Sequence, residues 1–270
     1  MKSKKNKKKV INKITIVIFS YDMHDSLKKK ILLYKSKYKL IILDRTDKSL
    51  ADFCKINLDK KSLYFHYPGK SYIERFLLLK SLLKTQYVMI QTDDDYFFED
   101  NITKSIFFLE KNKSYSCVAG SAYKFSTKRN NIYLKNIFKN IFTVSDDNNI
   151  LRVESIYKAD FGSIRYGVMR SACLLKYTEI LKKNYKIYKN EMYRLIDVQF
   201  FLVLASLGKI KILNKIFYLR YFRNLRRNWP NNSTYMAIDM YEKFSKGNYN
   251  RFLKTILSSL NLNQHKKQNI

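Results

Sequence analysis

The chain has 270 residues, 46% of them hydrophobic, enough for one sizeable core; that excludes a small scaffold dependent on disulfides or metal staples. Its 53 Lys and Arg against 22 Asp and Glu give a net charge of +31, but lysine far outnumbers arginine and the basic residues run along the whole chain. Without a concentrated stripe or a recognisable module, specific nucleic-acid binding is not indicated; coding bias toward A and T accounts for the lysines, and only weak, salt-sensitive attraction to phosphate-rich partners follows from the charge. Cys54, Cys117 and Cys173 are odd in number and widely spaced, which signals neither a disulfide framework nor a zinc site and fits reduced, buried thiols in a cytoplasmic protein.

Residues 1–10 form a lysine-rich tail with too little apolar surface to fold. The run from Ile14 to Phe19 is too short for a signal-peptide core and reads as a first strand, KITIVIFS. HDSLKKKILLYKSK has helical spacing, and YKLIILDRT is a second strand ending in Asp44. LADFCKINLD is a short amphipathic segment, and LYFHYPG is a third strand closed by Pro68-Gly69. SYIERFLLLKSLLKT is a helix, and YVMIQT a fourth strand that delivers Asp93, Asp94 and Asp95. DNITKSIFFLEKN is a helix capped by Asp100 or Asn101, and SYSCVAGSAY a strand. A basic, Asn-rich stretch from Lys124 to Asn149 is expected to be a loop region. ADFGSIRYGVMRSACLLKYTEIL holds a short strand and a helix, NEMYRLIDVQFFLVLASLG a long apolar helix, and KIKILNKIFYLRYFRN a late strand. No apolar segment reaches the roughly 18 to 20 residues that span a bilayer; Phe200 to Leu207 comes nearest.

Strands alternating with helices predict an α/β fold of Rossmann-like type, a mostly parallel central sheet with helices on both faces. The expected division is a tail over 1–10, one domain over 11–225, and a C-terminal helical appendage over 226–270. In such sheets ligands bind beyond the carboxyl ends of the strands, where Phe19, Ser20, Tyr21, Asp44 and the DDD all fall.

Three adjacent carboxylates repel, so a positive partner is expected: a divalent metal, a lysine cluster, or only water. Hard cations such as Mn²⁺ and Mg²⁺ prefer carboxylate oxygen, and the diphosphate of a nucleotide needs its charge neutralised. On an extended segment residues i and i+2 face the same way, so Asp93 and Asp95 are expected to share one ion while Asp94 faces elsewhere. Capping of the next helix and a solvated acidic turn are the alternatives.

ITIVIFSYDMHDSLKKKILLY, KLIILDRTD and TQYVMIQTDDDYFFED together resemble the first half of the nucleotide-diphospho-sugar glycosyltransferases of GT-A fold, in particular their family 2-like bacterial group. Here Phe19-Ser20 stands where that group has Pro-Thr, and the proline that usually follows its acidic cluster is absent. The resemblance implies a UDP- or GDP-sugar donor, Mn²⁺ or Mg²⁺, and a saccharide or lipid-linked acceptor. Phe19, Ser20 and Tyr21 would line the base and ribose pocket, and Asp44 would accept a hydrogen bond from the nucleobase. Arg75 or Lys70 would lie near the diphosphate, Asp93 near the ribose, and Asp95 on the metal, with Asp94 in the same donor site. The alternatives are an Asx turn for Asp44 and a core aromatic for Tyr21. An inverting member also needs a general base: Asp197 in RLIDVQF fits best, Glu191 is the reserve, and Asp160 a third candidate. A helix salt bridge from Asp197 to Arg194 is the plainer reading. Arg220, Arg223, Arg226, Arg227 and Trp229 could close over the donor or form a solvated basic end. His24 and His66 read as structural.

Two rival readings share these residues. One is a nucleotidyl- or phosphoryl-transfer enzyme built on the same acidic metal site. The other is a non-enzymatic basic protein that binds nucleic acid or an anionic membrane surface. The leading reading is compatible with loose attachment to an inner membrane face.

Overall fold

A computed structural model describes residues 11–128, 131–137, 141–156, 161–185 and 195–221. Four strands, β1 (Ile14–Ser20), β2 (Lys39–Asp44), β3 (Leu63–His66) and β4 (Tyr87–Thr92), stand side by side in parallel. Helices α1 (His24–Tyr34), α2 (Ala51–Asn57), α3 (Tyr72–Leu77) and α4 (Leu79–Leu82) connect them. Each strand falls within its expected run: β4 coincides with YVMIQT, β2 ends at Asp44, and β3 ends at His66, before Pro68-Gly69. The helix expected after Pro68-Gly69 splits in two. Ser71 starts α3 with a capping box: Glu74 N donates to Ser71 Oγ at 3.2 Å and Ser71 N to Glu74 Oε2 at 2.9 Å.

The parallel strands bury both faces, so their apolar runs are continuous. Along β1, Ile14, Ile16 and Ile18 join the core under α1 and α2, while Val17 and Phe19 join the core on the other side. Leu40 and Ile42 against Ile41 and Leu43, and Met89 against Val88 and Ile90, repeat the alternation.

After β4 the chain departs from the expected pattern. Asp93 and Asp94 form a turn, and Asp95 opens a short strand, β5 (Asp95–Phe97). Helix α5 (Glu99–Lys111) follows, burying Ile102, Ile106 and Leu109 on one face. The long strand β6 (Tyr115–Lys128) then pairs with β7 (Asn131–Asn136), so the region from Lys124 onward, expected as a loop, contains a hairpin. Next come α6 (Asn149–Ile156), a 3₁₀ turn at Phe161–Tyr166, β8 (Val168–Arg170), α7 (Ser171–Lys183), α8 (Leu195–Leu207) and β9 (Lys209–Tyr221). Helix α8 is apolar nearly all round and is buried accordingly.

The strand order is β3-β2-β1-β4-β8-β6-β9-β5, with β7 on β6. Strands β1 to β4, β6 and β9 run one way; β5, β7 and β8 run the other. Although β5 follows β4 after a turn, it sits at the far end of this order. The link from Thr92 to Asp95 spans at most about 11 Å. The sheet must therefore curl until the β9 edge meets the carboxyl end of β4, and Arg220 of β9 pairs in register with Asp95. Among the described residues, no helix is long and apolar enough to cross a membrane. Cys54, Cys117 and Cys173 are buried free thiols. The expected tail over 1–10 and the appendage over 226–270 lie outside the described residues.

Candidate active site

Parallel register lines up the strand ends: Ser20 sits beside Asp44, Asp44 beside His66, and Phe19 beside Thr92. Beyond β1 the chain turns sharply. Asp22 has φ 63, a left-handed conformation that Asp tolerates better than most residues. Its N–H donates to Thr46 Oγ1 at 3.0 Å.

Asp93 closes the floor of this edge. Its Oδ2 accepts from Ser20 Oγ at 3.0 Å and from Tyr21 N at 2.7 Å, and the side chain is almost wholly buried. Burial pushes its carboxyl up to about 7, and the hydrogen bonds from Tyr21 and Ser20 only partly offset this. Tyr21 is 51% exposed, with its ring on the Arg45 guanidinium at 4.6 Å. The backbone of Tyr21 is thus fixed by Asp93 while its ring faces outward. It is not a core aromatic.

Phe19 does not line a pocket. It is 4% exposed, packed against Tyr72 at 4.6 Å and Phe76 at 5.4 Å. Phe19 lies within β1 and faces the core, whereas Tyr21 lies in a bend beyond the end of the strand, where the alternation of faces no longer holds. Arg75 is also buried. Its Nη1 donates to the carbonyls of Ser20 at 3.0 Å and Leu43 at 2.6 Å, which staples the ends of β1 and β2. The expectation that Arg75 meets a diphosphate is corrected accordingly: its role here is to hold the strand ends.

Asp44 is fully buried. Oδ1 accepts from Thr46 N at 3.0 Å and Thr46 Oγ1 at 2.7 Å, an Asx turn, and Oδ2 from Tyr64 at 2.8 Å with His24 Nε2 at 3.2 Å. Burial opposes the charge, but these hydrogen bonds outweigh it and hold the carboxyl below its ordinary value. A carboxylate has about four lone-pair directions, so these partners leave little capacity for a nucleobase. His66 Nε2 lies 2.7 Å from the Thr46 carbonyl, in the same polar cluster.

Asp95 and Asp93 bond to different partners. The shared direction expected of Asp93 and Asp95 needs an extended backbone between them, and that backbone is a turn. Asp95 Oδ1 accepts from Arg220 Nε at 3.2 Å, and Oδ2 from Thr92 N at 3.2 Å and Thr92 Oγ1; none of the side chain is exposed. Asp94 is half-buried, and its Oδ1 lies 2.7 Å from Thr92 Oγ1, whose single proton it shares with Asp95 Oδ2. Lys30 of α1, fully buried, lies behind the turn. Its Nζ donates to Thr92 O at 2.6 Å, to Asp95 O, and at 3.4 Å to Gln91 Oε1. Burial lowers its ammonium to about 8, with Asp95, Asp93 and Asp94 opposing the shift.

The metal expected on Asp95 and Asp93 does not fit this donor set. Asp95 is saturated and faces a guanidinium, and Asp93 faces β1. Among the described residues no three His, Cys, Asp or Glu side chains are gathered to hold a metal ion. Lys30 was not singled out by the sequence, because a lysine at an inward position of a lysine-rich helix looks like any other until its burial is known.

Asp197, in the first turn of α8, pairs with Arg165 Nη1 at 2.5 Å. Arg165 lies over the Tyr72 ring at 5.0 Å, and Tyr72 packs on Phe19. The pairing is thus with Arg165, 32 residues away; Arg194, the expected partner, lies outside the described residues. So do Glu191, Asp160, Arg223, Arg226, Arg227 and Trp229. Among the described residues no donor reaches Asp197 Oδ2, and the side chain is 28% exposed.

The chain folds as a curled, mostly parallel sheet flanked by helices, of GT-A type, with polar residues at the carboxyl ends of β1, β2 and β4. The crystal structure of S. aureus TarS 1-349 matches it with a TM-score of 0.50 at 13% identity, covering 93% of this chain and 72% of that one. TarS 1-349 in complex with UDP-GlcNAc matches with a TM-score of 0.48 at 16% identity, covering 94% of this chain and 76% of that one. No protein-family model matches the sequence, and no curated protein does.

Proposed function

We propose that this chain is a glycosyltransferase that moves a sugar from a UDP- or GDP-sugar to a hydroxyl of a saccharide or lipid-linked acceptor. The observation that carries the reading is the convergence of Ser20, Tyr21 and Asp93 at the carboxyl edge of β1 and β4, where sheets of this kind bind ligands. The outward Tyr21 ring, backed by Arg45, offers a flat face to a nucleobase, and the buried Asp93 fixes the Tyr21 backbone beneath it. Asp44 supports the wall behind them.

Asp197 is the general base. Arg165 holds one oxygen, leaving Oδ2 to take the acceptor's proton as the acceptor oxygen attacks the anomeric carbon. The bond from that carbon to the diphosphate breaks on the opposite face, and the nucleoside diphosphate leaves with the electron pair; the transfer is inverting and of hexosyl type. A cytoplasmic site with loose contact to an anionic membrane face suits a lipid-linked acceptor.

The test is release of nucleoside diphosphate from UDP- and GDP-sugars by the full chain. Asp197→Asn should slow release by about 10²-fold or more while leaving nucleotide affinity within about threefold. Release at the wild-type rate by that variant would sink the assignment of the base. Pyrophosphate release from nucleoside triphosphates, with nucleotide-sugars left intact, would instead support nucleotidyl transfer.

A further inference from the structure

We infer that the acidic turn is neutralised from within, by Lys30 and Arg220, and that a nucleoside diphosphate binds here without a divalent cation, with Arg220 positioned to meet its phosphate oxygens. The inference rests on the nucleotide-sugar reading above and goes beyond it by naming what balances the charge.

Each carboxylate can be followed to its partners. Asp95 is wholly enclosed, its oxygens held by Arg220 and Thr92. A Mg²⁺ ion demands oxygen ligands at about 2.0–2.1 Å in near-octahedral array, and the guanidinium already occupies that approach to Asp95. Asp93 spends Oδ2 on β1, and Asp94 alone keeps a partly exposed carboxylate. One such group is a poor site for a hard cation. Two fixed cations already stand against the three carboxylates. Lys30 comes from α1 below the turn, all its bonds directed to Thr92, Asp95 and Gln91. Arg220 comes from β9 across the curl of the sheet.

Arg220 is also held where a ligand could use it. Strand β9 runs in the same direction as β1 and β4, so its final residues lie at the same edge as the acidic turn. Nε faces Asp95, Nη2 donates to the Tyr166 hydroxyl, and the guanidinium lies 5.5 Å from the Tyr166 ring centroid and 5.7 Å from that of Tyr218. Those rings stack on each other at 4.1 Å and fix its plane. Among the described residues Nη1 has no acceptor, and the side chain is 35% exposed. A guanidinium fixed on two edges, with its third edge open among the described residues, is preorganised for a phosphate oxygen.

The experiment is calorimetric titration of the full chain with UDP and with GDP, in EDTA and again in millimolar Mn²⁺. Binding in EDTA, within about threefold of that in Mn²⁺, is the expected result; binding only with Mn²⁺ overturns the inference and leaves the proposed function standing. No binding in either buffer overturns the proposed function and this inference with it. Arg220→Met should bind about tenfold or more weakly in EDTA, with Arg220→Lys intermediate. Because Arg220→Met frees Asp95 Oδ1, Mn²⁺ should now strengthen binding, a gain that mere loss of folding could not produce. Circular dichroism confirms that the variant is folded. A folded Arg220→Met that binds like the wild type in EDTA also overturns it.

Discussion

Asp93 is a carboxylate that the fold holds partly against its own ionisation. The unfolded chain releases its proton near 3.8 and the folded chain near 7. Between these values the native state keeps a proton that the unfolded state has lost. The contribution of Asp93 to stability is therefore fully present below about pH 4 and is lost as pH rises through about 7. Asp93→Asn carries no such titration, so it should match the wild type near pH 4 and exceed it above about pH 7, by an amount of order 1 kcal/mol or more. Urea unfolding across that range checks this, and an unchanged pH slope would contradict it. At this scale the sequence exposed the right neighbourhood but not the direction of each side chain. Ser20, Tyr21 and Asp93 do meet. Phe19 precedes Ser20 on β1 and faces the core because neighbours on a strand face opposite ways; Arg75 lies on α3, and no local pattern showed that it would be buried against the strand ends.

Among the elements, β1 to β4 were legible as short continuous apolar, β-branched runs and their helices by helical spacing. Strand β5 was not. Three residues carry no readable period, and its partner β9 lies over a hundred residues later. The pairing of β6 with β9 decides where Arg220 stands, and it depends on close backbone approach at Gly120. A Cβ added there would lie 2.7 Å from the Lys215 carbonyl and 3.0 Å from Phe217 Cβ, at a shift in register. The obstacle is the β9 backbone, which cannot step aside as a flexible side chain would. Gly120→Ala should therefore destabilise the protein by about 1–3 kcal/mol, against the slight gain expected of such a change at an unstrained site. Equal or greater stability in urea would refute the close approach.

For the whole molecule, the net charge of +31 predicts attraction to anionic vesicles at low salt. That attraction should vanish near 1 M salt, where the screening length is about 3 Å. Sedimentation with phosphatidylserine vesicles against neutral ones measures it, and binding that survives high salt would point to apolar insertion instead. The sequence by itself determined the parallel half of the sheet and the edge at which its polar residues gather. Those follow from local periodicity and from the order in which strands and helices alternate. It also posed the question of what balances three adjacent aspartates, with metal, lysine and water all open. The answer we infer, Lys30 and Arg220, could be drawn only from the tertiary structure. Lys30 and Arg220 lie 65 and 125 residues from Asp95 in the chain, and no local pattern ties them together. Helix packing buries the first, the curl of the sheet delivers the second, and both depend on the assembled molecule rather than on any segment of it.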